Sequence, residues 1–151
     1  MRIIGSQEEL KVLVGQKVAS SSWVDITQQR VDQFAQATGD CQWIHLDVER
    51  SRRESPFGTT VAHGFLTLSL LPMFMEESIA MKGVKMGLNY GLNKVRFPAP
   101  VPVGSRLRAH LTLLAVDDIE GGVQASWEVV MERQGSEKPV CVVEMLVRQY
   151  Y

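Results

Sequence analysis

Asp40 and His45 are the residues of this sequence whose types and spacing best suit acid–base chemistry. A carboxylate and an imidazole can divide general-base and general-acid duties, or one can orient the other. Both follow Gly39, a residue type that commonly ends a helix, so we expect them in an irregular segment facing a cleft. Five residues apart on a regular helix they would point to different faces, so they converge only if the segment bends. The alternative is structural: Asp40 caps a turn and His45 is a partly buried, hydrogen-bonded histidine.

His63 and Gly64 open the most apolar stretch of the chain, residues 64–75, and form a second candidate. The start of a helix presents unpaired backbone N–H groups, which suit an oxyanion or a polarised carbonyl. Glycine lets a ligand approach the backbone closely. Gly64 is therefore a candidate oxyanion or substrate-binding residue. The alternative is that Gly64 only permits tight entry of the chain into the helix.

The remaining reactive side chains carry weaker signals. Cys41 could pair with His45 as a nucleophile, but no third orienting group is evident, so we expect an inert thiol. No CxxC spacing predicts a zinc site and no glycine-rich motif predicts a nucleotide site, so we expect no metal. Basic side chains are usually solvated. An acyl-coenzyme A ligand would make some of them phosphate contacts, and the candidates are Arg52, Arg53, Lys94 and Arg96.

Length and composition limit the classes that this chain can belong to. With 151 residues it matches one domain, 1–151, because domains usually hold about 100–200 residues. The net charge of -1 argues against a nucleic-acid partner, which would need a basic excess. The apolar stretch is shorter than the roughly 20 residues of a membrane span, and the N-terminus carries no signal-peptide run. Two cysteines make no disulfide framework, so a reducing cytoplasmic setting is expected.

The first half of the sequence predicts helices that would position these candidates. Ser6 and Glu9 suit a capping box at a short first helix. Thr27 can cap a second helix that Gly39 ends. A long central helix is predicted from Gly64 to about residue 80; its apolar residues point to every side, so the rest of the protein must enclose it. Pro72 should kink this helix.

The second half of the sequence predicts an antiparallel sheet. Apolar and polar residues alternate over 106–116 and 123–132, which is typical of strands with one wet face. Residues 140–150 and 88–97 predict two further strands, and the prolines at 98, 100 and 102 mark a sheet edge. One buried helix followed by at least four strands predicts an α+β protein. The economical architecture is a single hot-dog domain, an antiparallel sheet wrapped around a long central helix.

Three segments resemble a known family. Residues 37–45 (Ala-Thr-Gly-Asp-Cys-Gln-Trp-Ile-His) resemble the hydratase-2 motif, in which Gly-Asp is followed by Asn-Pro, an aliphatic residue and His. Residues 62–65 (Ala-His-Gly-Phe) and 97–104 (Phe-Pro-Ala-Pro-Val-Pro-Val-Gly) resemble that family's start of the central helix and its strand edge. In this order the segments are similar to MaoC-like (R)-specific enoyl-CoA hydratases, in the branch of NodN-like proteins and mycobacterial single-domain hydratases.

The resemblance implies a function. It is reversible addition of water to a trans-2-enoyl-CoA, giving an (R)-3-hydroxyacyl-CoA, in fatty-acid metabolism. Asp40 and His45 would hold the water, Gly64 would bind the thioester oxygen, and coenzyme A would enter only as part of the substrate, with no separate cofactor. A homodimer is expected, since hot-dog domains commonly pair. Two departures stand out: Gln42-Trp43 replaces Asn-Pro, and Pro72 occupies the position of a serine that some short-chain members use.

Two other functions remain open at this point. An acyl-CoA thioesterase would share the fold and the carrier but would release free thiol, and the Asp40/His45 pair is the feature that speaks for a hydratase instead. A non-catalytic module that binds acyl-CoA or a signal molecule is motivated by the Gln42-Trp43 change.

Overall fold

The computed structural model describes residues 1–151 as six helices and eight strands. The helices are α1 (Gln7–Val12), α2 (Gln28–Thr38), α3 (Trp43–Leu46), α4 (Val48–Glu54), α5 (Gly64–Ser69) and α6 (Leu71–Ser78). The strands are β1 (Arg2–Ile4), β2 (Lys17–Ser20), β3 (Val24–Asp25), β4 (Ile79–Met81), β5 (Met86–Arg96), β6 (Arg106–Ile119), β7 (Gly122–Arg133) and β8 (Cys141–Tyr150).

The main sheet is antiparallel and follows from the alternating residues of the second half. Its strands lie in the order β2, β6, β7, β8, β5, and β3 pairs with the start of β6. Alternate residues of β6, β7 and β8 are buried, so one face of the sheet points into the core. On that face Trp127 pairs directly with Met145. The core packs this face against the helices, which confirms the α+β hot-dog arrangement.

The predicted helix ends are confirmed by their hydrogen bonds. The Glu9 N–H donates to Ser6 Oγ at 3.2 Å, and Glu9 Oε2 accepts from the Gly5 N–H at 2.7 Å. Thr27 caps α2 by accepting from the Arg30 N–H at 3.2 Å. Gly39 ends α2 with a φ of 80°, a left-handed conformation that glycine adopts without steric cost. This turn sends the chain towards Asp40.

The central helix is interrupted more strongly than the predicted kink at Pro72. The helix is divided at Leu70, whose N–H donates to the Thr67 carbonyl three residues back, and α6 begins at Leu71. Pro72 therefore lies in the first turn of a new helix, where its missing N–H costs nothing. Nor is the helix enclosed on every side, because an exposed stripe runs along it through Phe65, Ser69, Pro72 and Glu76.

Several short elements carry no clear local sequence pattern and were not predicted. Residues 43–46 form the one-turn helix α3 inside the segment expected to be irregular. Strands β1 and β4 pair in parallel and join the N-terminus to the chain just after α6. No helix combines the length and the apolar character that a bilayer span would require.

Strand β5 forms one edge of the main sheet and is exposed along nearly its whole length. Its solvent-facing apolar side chains are Met86, Leu88, Tyr90 and Leu92. An edge strand of this length normally needs a cover or a partner.

Candidate active site

The end of α2 and the short helix α3 bring Asp40 and His45 to one place. Gly39 turns the chain out of α2, Asp40 follows it at the surface, and His45 lies in the single turn of α3 with only 7% of its surface exposed. Trp43 occupies the first position of α3, where proline is favoured and no backbone N–H partner is needed. The helix therefore forms without the Asn-Pro pair that the motif usually carries.

The His45 ring is fixed by the segment that leads into α5. Its Nδ1 lies 2.7 Å from the Val61 carbonyl oxygen, and the Val61 N–H donates to the Ile44 carbonyl at 3.0 Å. A carbonyl can only accept, so Nδ1 carries the hydrogen. In the neutral ring Nε2 is therefore an unprotonated acceptor.

A second set of hydrogen bonds holds the backbone of α3. The Gln28 amide nitrogen donates to the His45 carbonyl at 2.8 Å, and the buried Thr60 hydroxyl donates to Gln28 Oε1 at 2.6 Å. Gln28 thereby links α2, α3 and the segment before α5. The position of His45 thus depends on three parts of the chain.

His63 completes the cluster. It is 2% exposed, and its ring stacks on that of His45 with centroids 3.8 Å apart and an interplanar angle of 26°. Phe34 contacts its ring at 4.9 Å between centroids. His63 Nε2 lies 2.9 Å from the Asp40 backbone oxygen, so it donates there, while the buried Nδ1 has no hydrogen-bond partner in the protein. His63 thereby ties the Asp40 backbone to the start of α5.

The surroundings favour the neutral form of His45. Burial lowers the pKa of His45 below its ordinary value, because a charged ring loses water contact, and the nearby His63 lowers it further. The hydrogen bond to Val61 and the negative charge of Asp40 act in the opposite direction but are weaker in sum. An imidazole with a free Nε2 lone pair is suited to accept a proton.

One polar side-chain atom from each of Asp40, His45 and His63 lies within 4.8 Å of the others. Two histidines and a carboxylate can bind a metal ion. An ion bound by both rings, however, would have to lie close to both ring planes. These rings are stacked with only 26° between their planes. Because the planes are nearly parallel, no point close to the nitrogens lies in both of them. The geometry suits a hydrogen-bonded water better than a metal.

Gly64 begins α5 next to this cluster. Its backbone N–H donates to no acceptor in the protein, as expected for the first residue of a helix. A Cβ at this position would lie 3.0 Å from the Phe97 ring, so a larger residue would force that ring to shift. A cavity of about 310 Å³ reaches Gly64 between Phe57, Phe97 and Thr67. The predicted ligand approach to Gly64 is therefore open on this side.

The four predicted phosphate contacts lie outside the cluster. Arg52 and Arg53 are exposed on α4, where Arg52 pairs with Glu49 at 2.7 Å. Lys94 and Arg96 are exposed near the end of β5, just before Phe97. No hydrogen bond joins any of them to Asp40, His45 or His63. Their role as phosphate contacts stays a prediction.

Sequence reasoning missed the residues that hold the acid–base pair in place. They are Gln28, Thr60, the Val61 carbonyl and His63. His63 had a recognisable signal, because it is a histidine directly before a helix that starts with glycine. The other three act through contacts between distant parts of the chain, which no local pattern reports.

Comparison with known proteins places this geometry in a family. The sequence profile of the MaoC-like domain matches residues 9–133. A Mycobacterium tuberculosis protein named 3-hydroxyacyl-thioester dehydratase Z is 55% identical over 149 residues, 98% of each chain. Nodulation protein N of Rhizobium leguminosarum is 43% identical over 129 residues, 83% of this chain and 80% of the relative.

A solved structure shows the same fold. The (R)-hydratase PhaJ1 of Pseudomonas aeruginosa, in its unliganded form, superposes with a TM-score of 0.71 at 25% identity, covering 91% of this chain and 81% of that one. The segments that resemble hydratase-2 motifs are those that the fold brings together around His45. This chain belongs to the MaoC-like domain family.

Proposed function

We propose that this protein is an (R)-specific enoyl-CoA hydratase, a hydro-lyase that reversibly adds water to a trans-2-enoyl thioester. The observation that carries the proposal is the convergence of Asp40 and His45 beside the free N–H of Gly64. The mycobacterial relative is named a 3-hydroxyacyl-thioester dehydratase, which is the reverse direction of the same reaction. The structural neighbour is named an (R)-hydratase.

The Asp40 carboxylate and the His45 ring would bind one water between them. Water donates two hydrogen bonds of about 2.8 Å, so its two acceptors can lie about 4.5 Å apart. The polar atoms of the cluster lie within 4.8 Å of one another. Both groups can accept, since Asp40 is a carboxylate and His45 offers an unprotonated Nε2. The water oxygen is thereby directed out of the cluster towards a substrate.

In the hydration direction His45 takes one proton from the water as its oxygen bonds to the β-carbon. Electrons of the double bond move to the α-carbon and the thioester oxygen. The imidazolium formed on His45 then gives its proton to the α-carbon, so the water is added across the double bond with no proton left over. Asp40 orients the water and stabilises the transient positive charge on the ring. Dehydration follows the same steps in reverse.

The thioester oxygen gains negative charge during this step, and the Gly64 N–H would donate to it. Removing one such donor typically costs about 2.7–4 kcal/mol of transition-state stabilisation. The cavity beside Gly64 provides the approach, bounded by Phe57 and Phe97. The exposed Lys94 and Arg96 lie just before Phe97, and Arg52 and Arg53 lie on α4. We propose these four side chains as the contacts to the coenzyme A phosphates.

The scheme needs no separate cofactor, because every proton in it is carried by His45 and water. Coenzyme A takes part only as the thioester of the substrate. The function belongs to fatty-acid metabolism, in which such enoyl and hydroxyacyl thioesters are interconverted.

A homodimer joined through β5 is part of the proposal. The edge of β5 exposes unpaired backbone groups and four large apolar side chains, and pairing with a second copy would cover both. A cytoplasmic location is also proposed. Its support is that Cys41 and Cys141 are both free thiols, and burial raises the pKa of Cys141 to about 11, which keeps that thiol protonated and unreactive.

One assay tests the function and separates it from a thioesterase. Purified protein is given trans-2-enoyl-CoA, and the loss of double-bond absorbance and the release of free thiol are followed together. A hydratase removes the double bond without releasing thiol. Thiol release at the rate of substrate loss would show a thioesterase, and tight binding without either signal would show a binding module. The Asp40→Asn variant serves as the control for contaminating activity.

A further inference from the structure

A cavity of about 540 Å³ lies between α6 and the inner face of the sheet. It is the largest of the three cavities along the divided central helix. Met75 and Ile79 line it from the helix side, and Met81 and Val147 add apolar walls. It lies at the opposite end of the helix from Gly64, so it is separate from the acid–base cluster.

Two polar atoms on the wall of this cavity are unpaired. Trp127 Nε1 and Gln149 Oε1 are both buried without a hydrogen-bond partner in the protein, and Trp127 is only 1% exposed. They project from neighbouring strands onto the same face, because Trp127 pairs with Met145 and Gln149 follows Met145 by four residues. Buried polar groups are nearly always hydrogen-bonded, so we expect a ligand to supply the missing hydrogen-bond partners of these two atoms.

The two atoms together specify the chemistry of that ligand. An indole N–H only donates, and an amide oxygen only accepts. A hydroxyl group can satisfy either atom, since it accepts from an N–H and donates to an oxygen. Glu76 also lines the cavity and no lysine or arginine does, so a carboxylate would be repelled. An ammonium group would leave the Trp127 N–H unpaired, because it has no lone pair to offer.

This cavity and a smaller neighbour, which lies nearer Gly64 along the helix, line up as one groove. A smaller cavity of about 290 Å³ begins at Leu68 and shares Pro72 and Asn89 with the larger one. Leu68 is one helical turn from Gly64. From Leu68 to Ile79 the groove follows the helix for about 16 Å, at a rise of 1.5 Å per residue. Its first part is apolar, with Leu68, Leu71 and Met145 on its walls.

We propose that this groove binds the acyl chain of the substrate, and that Trp127 and Gln149 select a chain with a hydroxyl group towards its far end. The inference rests on the proposed function, since the thioester must lie at Gly64 for the chain to enter the groove at Leu68. The apolar first part accepts methylene groups. The polar end then favours a hydroxylated acyl group over a plain alkyl chain of the same length, because the plain chain leaves both atoms unpaired.

Binding of non-reacting thioesters tests this inference apart from catalysis. Saturated acyl-CoA esters are prepared in pairs of equal length, one with a terminal hydroxyl and one with a terminal methyl group, and their affinities are measured by calorimetry. At the length that reaches Trp127 we expect the hydroxylated ester to bind about tenfold more tightly, which is the size of one net hydrogen bond. Shorter pairs should show no difference.

Three variants complete the test. Trp127→Phe removes the indole N–H while keeping an aromatic ring, and Gln149→Met removes the amide while keeping the chain length. Each should lower the affinity ratio relative to the wild type. Gln149 is only partly buried, so its variant stays informative if Trp127→Phe does not fold. Gln124→Met is the matched control, since Gln124 is on the opposite face and accepts from Arg148 at 2.9 Å; its ratio should equal that of the wild type.

The outcomes separate this inference from the proposed function. Equal affinities within every pair would overturn the inference. The cavity would then be filled by solvent or by a side chain of a second copy, and not by a hydroxylated acyl chain. Hydration of the methyl-ended enoyl-CoA would still support the function in that case. Conversely, a preference for the hydroxylated ester that Gln149→Met abolishes, without turnover of any enoyl-CoA, would support the binding site and overturn the hydratase assignment.

Discussion

His63 and His45 stack face to face, with ring centroids 3.8 Å apart, yet the two rings use different nitrogens for their hydrogen bonds to backbone carbonyls. His45 donates through Nδ1 to Val61, and His63 donates through Nε2 to the Asp40 carbonyl. The two rings therefore have opposite tautomers and present different unprotonated nitrogens. Only His45 directs an acceptor Nε2 away from the backbone that fixes it. In the proposed mechanism this arrangement leaves proton transfer to His45 and gives His63 a positioning role.

The first prediction concerns the acid–base pair. Asp40→Asn and His45→Gln should each lower kcat for hydration by about 10²–10⁴-fold, the usual contribution of such groups. Circular dichroism and thermal melting should show that Asp40→Asn, at an exposed position, leaves the fold intact. Near-normal turnover of both variants at saturating substrate would refute the assignment.

The second prediction separates the two contacts of His63. His63→Gln places an N–H near the position of Nε2 but removes the stacking, whereas His63→Phe keeps the stacking and loses the donor. If the bond to the Asp40 carbonyl positions the carboxylate, His63→Phe should lower kcat by about tenfold, the size of one net hydrogen bond, and His63→Gln should retain more activity. KM should change little. The opposite order of the two variants would assign the role to stacking instead.

The third prediction follows from the lowered pKa of His45. Because His45 must be neutral to accept a proton, kcat/KM should rise with pH, with the midpoint of the rise below the ordinary histidine pKa of 6.5. Asp40 favours the protonated ring, so NMR titration of Asp40→Asn should place the His45 pKa lower still than in the wild type. A higher His45 pKa in that variant would contradict the electrostatic account.

The same shift affects stability. Well above pH 6.5 His45 is neutral in both the folded and the unfolded chain. As the pH falls below that value the unfolded chain binds a proton that the folded chain does not, so the free energy of unfolding decreases until the folded pKa is reached. Denaturant unfolding at several pH values should show a smaller decrease for His45→Gln than for the wild type over this interval.

The fourth prediction concerns Gly64. Gly64→Ala places a Cβ 3.0 Å from the Phe97 ring, so the ring must move and narrow the approach to the backbone N–H. We expect a lower kcat with both acid–base groups unchanged, and Gly64→Val should lower it further. Thermal melting on the same preparation distinguishes a packing defect. A variant that melts early but turns over normally at low temperature would remove the oxyanion role from Gly64.

The fifth prediction concerns the edge strand. Light scattering at micromolar concentration should give the mass of a dimer. Replacing Leu88 and Leu92 on β5 by lysine should give a monomer, because both side chains are exposed and apolar. Leu114→Lys is the control, since Leu114 is also exposed but lies on β6. A wild-type monomer would count decisively against pairing through β5.

Local patterns in the sequence predicted those parts of the structure that local physics determines. The alternation of residues predicted β6, β7 and β8, and the caps at Ser6, Thr27 and Gly39 predicted the ends of α1 and α2. The residue types of Asp40 and His45 and their separation of five residues also identified them as a candidate pair. The hydrogen bond from His45 to Val61 spans 16 residues, and β1 pairs with a strand more than seventy residues away. Such contacts depend on the completed fold and leave no periodic signal.

The division of the central helix at Leu70 has a consequence for how related enzymes could diverge. The segment before the break carries the backbone N–H at which the thioester would react, and the segment after it lines the deep end of the acyl groove. If α5 and α6 formed one continuous helix, a larger or smaller side chain in the groove would tilt the whole helix and so displace Gly64. A break at Leu70 would absorb that tilt instead. In the proposed enzyme, substitutions after residue 70 would then change acyl preference while the reacting end keeps its alignment.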